Sequence, residues 1–183
     1  SSWDDFHVPA NWEINGYGVP IYLNHPYEFS YHPEPPTIPD GYNPVGSYRK
    51  SFTIPEKWKN RRIVIHFGAV KSAFFIWVNG EKVGYSQGSK LPAEFDITEF
   101  ISIGKNSVAL QVYRWSDGSY LECQDFWRIS GIERDVYLAA EPKLRIVDFW
   151  AKTPLDLQFN NGELSLEIDL FNDSIIDEKI IVH

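Results

Sequence analysis

The feature that most restricts what this chain can become is a series of short apolar runs, rich in β-branched and aromatic residues, that stop at turn-forming ones. Ile63 to Phe67, Phe74 to Val78, Val108 to Tyr113 and Asp135 to Leu138 are all bounded by Gly, Asn, Asp or Lys, and each reads as a strand. No long stretch of helical period competes with them. Asn79-Gly80 directly follows one run and leads into Lys82 to Tyr85. Because Asn and Gly tolerate positive φ, that pair predicts a tight hairpin. Many short strands with regular turns, and no room for βαβ crossovers, predict an all-β sandwich or jelly roll.

Two shifts in composition divide the chain. His32 to Pro44 holds five prolines, Pro33, Pro35, Pro36, Pro39 and Pro44, so it can donate few ladder hydrogen bonds and is expected to wrap irregularly over the surface. After Glu141-Pro142, Lys143 to Lys152 reads as a new strand, and Leu164, Leu166, Ile168 and Leu170 alternate with polar residues as a half-buried strand would. The expected domains are therefore 1–142 and 143–183. The second has 41 residues, against about 100 residues and about seven strands for an immunoglobulin-like sandwich. It is expected to be a truncated start, with Ile180 to His183 a strand cut from its partner. A beginning at Ser1-Ser2, without Met, likewise reads as a processed or excised segment, and the compartment, cytoplasmic or periplasmic, stays open.

Charge narrows the partners. Lys and Arg number 17 against 25 Asp and Glu, a net charge of −8, which opposes nucleic-acid phosphates and anionic lipid surfaces. No apolar run approaches the ~20 residues of a membrane helix, and no signal peptide stands at the start. No nucleic acid and no membrane are expected as partners. One cysteine, Cys123, excludes an internal disulfide and a Cys-only metal site. His7, His25, His32, His66 and His183 are scattered, with no H-x-H or H-x₃-H pair. Nucleophile-elbow, P-loop and dinucleotide motifs are missing as well.

Paired-carboxylate chemistry needs two acids ~5–10 Å apart across a cleft. The candidates are Glu122 with Asp125 and Glu94 with Asp96. Pro92 and Phe95 suggest a turn leading into a strand around the second pair, with solvated acids. The stretch from Trp115 to Trp127 is different, because a Ser-Asp-Gly-Ser turn opens a segment dense in aromatic rings and carboxylates. Saccharide sites are built this way: rings cover the C–H face of a pyranose while carboxylates accept from its hydroxyls. The competing reading makes these aromatics core and pairs the acids with Arg114, Arg128 or Arg134.

Three blocks carry a resemblance: Asn11 to Phe29 (NWEINGYGVPIYLNHPYEF), Phe67 to Ile97 (FGAVKSAFFIWVNGEKVGYSQGSKLPAEFDI) and Arg114 to Leu138 (RWSDGSYLECQDFWRISGIERDVYL). Together they resemble the N-terminal region of the large bacterial β-galactosidases of glycoside hydrolase family 2. The resemblance implies a jelly-roll, galactose-binding-domain-like sandwich, then an immunoglobulin-like domain, then a (β/α)₈ barrel that holds both catalytic glutamates of a retaining double displacement. It implies no catalytic residue in this segment. Its partners would be a galactoside and the missing barrel of the same chain, in a homo-oligomeric parent. Asp125, in the Q-D-[FM]-W motif, would bind a sugar hydroxyl and a sodium ion, and magnesium would be a further ion of the parent. Lys71 stands where the family often has an asparagine that contacts the sugar, so it is the second candidate site residue, against the alternative of a solvated loop lysine. An autonomous carbohydrate-binding module and a complete small glycosidase are the competing functions.

Overall fold

The computed structural model describes residues 3–24 and 27–174. Its elements follow in the order β1 (Ala10–Asn11), β2 (Ile21–Leu23), β3 (Val45–Ile54), β4 (Arg62–Phe67), β5 (Val70–Lys71), β6 (Ala73–Val78), β7 (Glu81–Gln87), β8 (Ala93–Asp96) and β9 (Gly104–Tyr113). A single helical turn, α1 (Ser119–Glu122), precedes β10 (Phe126–Arg128), β11 (Gly131–Ile132), β12 (Val136–Glu141), β13 (Leu144–Lys152) and β14 (Ser165–Asn172). The protein is all-β, as the strand runs predicted. It divides into two units, 1–139 and 140–183.

The first unit is a sandwich. One sheet has the order β3-β9-β6-β7 and the other β12-β4-β8, with every pair in the first sheet antiparallel. In β6 the residues alternate between sealed and partly exposed, so Phe74, Ile76 and Val78 point inward. Phe74 meets Phe67 of β4 at 4.9 Å and Phe95 of β8 at 5.7 Å between ring centroids. Those contacts join the two sheets, and Ile63, Ile65, Val112 and Ile97 fill the layer around them. Asn79 (φ 50°) and Gly80 (φ 89°) close the β6–β7 hairpin in the left-handed conformations that its two-residue loop requires. The Asn79 side chain also donates to the Phe100 carbonyl at 2.8 Å and accepts from Ser107 N at 2.9 Å, which ties the turn to the neighbouring strand.

Glu94 and Asp96 are solvated, as expected, but not in a turn. They lie exposed on one face of β8, a regular strand, and each has a cross-strand partner: Glu94 Oε1 with His66 Nδ1 at 2.8 Å, and Asp96 Oδ2 with Arg62 Nε at 2.7 Å. Burial pushes the Asp96 carboxyl upward, but hydrogen bonds from Thr98 and Arg62 outweigh it and hold the group below its usual range. His66 stacks on Tyr137 at 4.4 Å. The proline-rich stretch is irregular, as expected, and is pinned where Asn43 exchanges hydrogen bonds with the Trp115 backbone (2.9 and 3.1 Å) and where the Tyr120 hydroxyl donates to the Thr37 carbonyl at 2.5 Å.

In the second unit β13 and β14 form an antiparallel pair with an irregularity between Ile146 and Asp148. The predicted strands are present, but the half-buried face is not. Of the four expected residues only Ile168 is half-buried; Leu164, Leu166 and Leu170 are exposed, as are Phe149 and Trp150 on the partner strand, because the pair has no second layer among the described residues. The expectation for Ile180 to His183 falls outside the described residues. No helix among the described residues is long and apolar enough to cross a membrane.

Candidate functional site

The Trp115 to Trp127 segment is built around α1 and β10. β10 pairs antiparallel with β2, and the register sets Trp127 opposite Tyr22. Both rings are about half exposed, at 54% and 55%, and meet edge to face at 5.8 Å. The Tyr22 hydroxyl donates to Asp125 Oδ1 at 2.6 Å, and that bond raises the tyrosine's pKa. Asp125 is exposed. The result is a solvent-facing patch of two rings and one oriented carboxylate, the combination that can cover a pyranose face and accept from its hydroxyls.

β10 alternates, so Phe126 and Arg128 point the other way. Arg128 is buried, with its Nε 3.5 Å from Glu28 Oε2, and Glu28 accepts from Trp115 Nε1 at 2.8 Å. A second buried pair, Arg114 Nη1 with Glu13 Oε1 at 3.4 Å, lies below the first turn after β1, where Glu13 Oε2 also accepts from Ser130 N at 2.7 Å. The arginines are thus paired, but by Glu13 and Glu28 and not by the acids of their own segment. Sequence reasoning missed both glutamates. The only signal for them was two acids inside apolar N-terminal runs of a chain with two arginines flanking Trp115 and Trp127.

Lys71 departs from the solvated-loop alternative. It is buried, at 9% exposure, on β5, where it pairs with Gly131 of β11; it is not a solvated loop residue. Its Nζ lies 4.8 Å from the centre of the Phe126 ring. Burial, and then the nearby Lys90, lower its pKa from the ordinary 10.5. Lys90 in turn is paired with Glu133, which also accepts from Asn11 Nδ2 at 3.0 Å. Asp125 and Lys71 therefore approach Phe126 from different directions: Asp125 shares the outer patch with Tyr22 and Trp127, while Lys71 packs on the inward-pointing ring.

The carboxylate candidates do not form a reacting pair. Glu122 is occupied by Ser89, whose backbone N–H donates to it at 2.9 Å and whose hydroxyl donates to its other oxygen. Cys123 is half-buried, and burial pushes its thiol up to about 11, so it is inert at neutral pH. No group of three His, Cys, Asp or Glu able to hold a metal occurs among the described residues.

Comparison with known proteins agrees with this chemistry. Residues 2–142 match the family described as glycosyl hydrolases family 2, sugar binding domain. The chain belongs to that family. It is similar to a β-galactosidase of Priestia megaterium, 49% identical over 172 residues (93% of this chain, 17% of that protein), and to one of Vibrio cholerae, 47% identical over 170 residues (93% and 16%). The chain thus spans about a sixth of the length of these curated relatives. Among solved structures it resembles a β-glycosidase from Bacteroides vulgatus, with TM-score 0.67 and 26% identity over 95% of this chain and 22% of that one. It also resembles a β-glucuronidase of an uncultured Clostridium, with TM-score 0.60 and 28% identity over 69% and 24%. The all-β sandwich and the sugar-binding class of the first unit are those expected from the three sequence blocks.

Proposed function

We propose that this chain is the N-terminal, non-catalytic part of a β-galactosidase, a retaining enzyme, and that Asp125 lends a wall to a galactose subsite completed by a catalytic barrel of the same polypeptide. The observation that carries the reading is the outer patch of Tyr22, Trp127 and Asp125, in which Tyr22 orients one carboxylate oxygen while the side chain stays exposed. Glu122, tied to Ser89, leaves Asp125 without an acid/base partner, which favours a binding role over hydrolysis. The relatives named β-galactosidase supply the substrate class. On this reading Lys71 supports the subsite from behind, through the Phe126 ring it packs on, β13 and β14 open an immunoglobulin-like sandwich, and the parent is a homo-oligomer.

Sodium, a hard cation that takes oxygen ligands, fits Asp125 as one ligand among several. The remaining oxygens would come from outside the described residues, and the ion would orient a sugar hydroxyl. No residue here is assigned to magnesium.

The test is an assay of the purified chain and of the full-length parent with an activated aryl β-galactoside, together with calorimetry of the chain with galactose. The parent should turn over and the chain should not, and galactose should bind the chain weakly, since one carboxylate cannot offset the sugar's lost freedom. Turnover by the chain itself would overturn the reading. Micromolar galactose binding that depends on a surface aromatic would favour an autonomous carbohydrate-binding module instead.

A further inference from the structure

One cavity shares no residue with the Asp125 patch. It has a volume of about 780 Å³ and is bounded by residues 3–6, by the end of the proline-rich loop and by the first residues of β3. That size lies within the range of small-molecule pockets. Its floor is the Trp12 indole, which lies against Gly46: a Cβ at that position would come within 2.3 Å of Trp12 Cζ2, so only glycine lets the ring settle flat on the strand. Trp12 Nε1 donates to the Tyr48 hydroxyl, which fixes the ring's orientation. Burial holds the Tyr48 phenol up at about 12, so it stays neutral across the physiological range.

Around this floor stand three aromatic side chains that are about half exposed or more: Trp3, Tyr17 and Tyr42. Each has a reason to hold its place. Arg49 packs over the Trp3 ring at 5.0 Å. The Tyr17 hydroxyl donates to Asp4 Oδ2 at 2.8 Å, which ties the start of the described chain to the turn after β1, and the Tyr17 ring meets Phe6 edge to face at 5.8 Å. Tyr42 meets Trp115 at 5.8 Å. Polar groups alternate with the rings: the carboxylates of Asp4 and Asp5 accept, while Ser47 can donate and accept. Arg114, also on the wall, has its charge met by Glu13, and Arg49 is laid on an indole.

We infer that this cavity is a second saccharide site, for a neutral sugar. Flat aromatic faces held apart around a preformed floor suit the C–H faces of pyranose rings, and acceptors between them suit the hydroxyls. Charge ranks the alternatives. Asp4 and Asp5 on the wall disfavour an anionic sugar, and of the two arginines there Arg114 has its charge met by Glu13. A lipid or purely apolar ligand would desolvate the two carboxylates, which is costly.

The experiment is calorimetric titration of the chain with lactose, and with galacturonate as a charged control, on the wild type and on Trp3→Ala and Tyr42→Ala. Lactose should bind with a dissociation constant on the order of 1 mM, galacturonate more weakly, and each aromatic variant should weaken lactose roughly tenfold. Neither residue belongs to the Asp125 patch, so dependence on them separates the inference from the proposed galactose subsite: either can fail without the other. If Trp3→Ala does not fold, Tyr42→Ala decides. Absence of saturable lactose binding, or unaltered binding in Tyr42→Ala, would each overturn the inference.

Discussion

The two units of this chain use the same strand chemistry and reach opposite outcomes. In the first, Phe74 sits on a strand whose alternating residues meet a facing sheet, and it is sealed between Phe67 and Phe95. In the second, Phe149 sits on a strand of equal regularity, paired residue for residue with Ile168, and remains 66% exposed. Among the described residues, all of the buried apolar ones belong to the first unit. Hydrophobic alternation thus specifies which face a strand offers, while burial depends on a second layer arriving over it. The hydrophobic gain scales with the apolar area removed from water, so only the first unit collects it.

The sharpest test of that contrast is Phe74→Ala. Removing a sealed ring leaves a cavity between two sheets that cannot collapse onto it, so about 3–5 kcal/mol of unfolding free energy should be lost, read from the urea midpoint of the purified chain. A loss below about 1 kcal/mol would mean that the two sheets are not packed as described.

Within the first unit the same contrast separates buried from presented polar groups, and Asp125 belongs to the second kind. Asp125→Asn in the full-length parent keeps the side-chain volume and removes a charge that faces solvent beside Tyr22. Catalysis should fall by roughly 10- to 150-fold, equivalent to about 1.5–3 kcal/mol, with weaker dependence on sodium and an unchanged melting temperature. A lower melting temperature with wild-type kinetics and sodium response would place Asp125 in the framework instead.

Which of these features the sequence could reveal follows from the range of the interaction involved. The Asn79-Gly80 hairpin was legible because turn chemistry is local, and the sandwich was legible because strand period and turn spacing suffice to define it. The buried pairs Glu13–Arg114 and Glu28–Arg128 were not, since each joins residues about a hundred positions apart and no periodicity marks a partner that distant. The burial of Lys71 was not legible for the same reason: it comes from β5 pairing with β11, a contact that the residues around Lys71 do not encode. The motif singled out Asp125, while Tyr22, whose hydroxyl donates to it, came into view only with the β2–β10 register.

Lys71 offers a smaller effect of opposite sign. A buried ammonium resting on a ring costs desolvation, so Lys71→Met should raise the stability of the chain by about 1 kcal/mol at neutral pH. The sign with pH is fixed by the lowered pKa. Unfolded, Lys71 titrates at its ordinary 10.5; folded, it releases its proton lower. Between the two values the unfolded chain binds more protons, so wild-type stability should gain from this group as pH rises through that window, and the gain should be absent in the methionine variant. If the ammonium also serves the sugar, the same substitution lowers kcat/KM of the parent while stabilising the fold, a trade-off of the kind expected at a binding site.

The smallest expected effect is the counterpart of the largest. Phe149→Ala in the chain should shift the unfolding free energy by less than about 0.5 kcal/mol, because a ring already in water leaves no cavity behind and forfeits little transfer free energy. The substitution does remove a cross-strand contact with Ile168, worth only a few tenths of a kcal/mol at an open face. A loss of about 2 kcal/mol or more would require that something cover β13 and β14 in solution. Repeating the measurement across protein concentration then identifies the source: a cost that grows with concentration belongs to association between copies, and a constant one to a layer supplied by the chain itself. Either outcome would erase the distinction between the two units, whereas a near-zero cost beside the large one at Phe74 would establish that one alternating pattern can yield a core in one unit and an open face in the other.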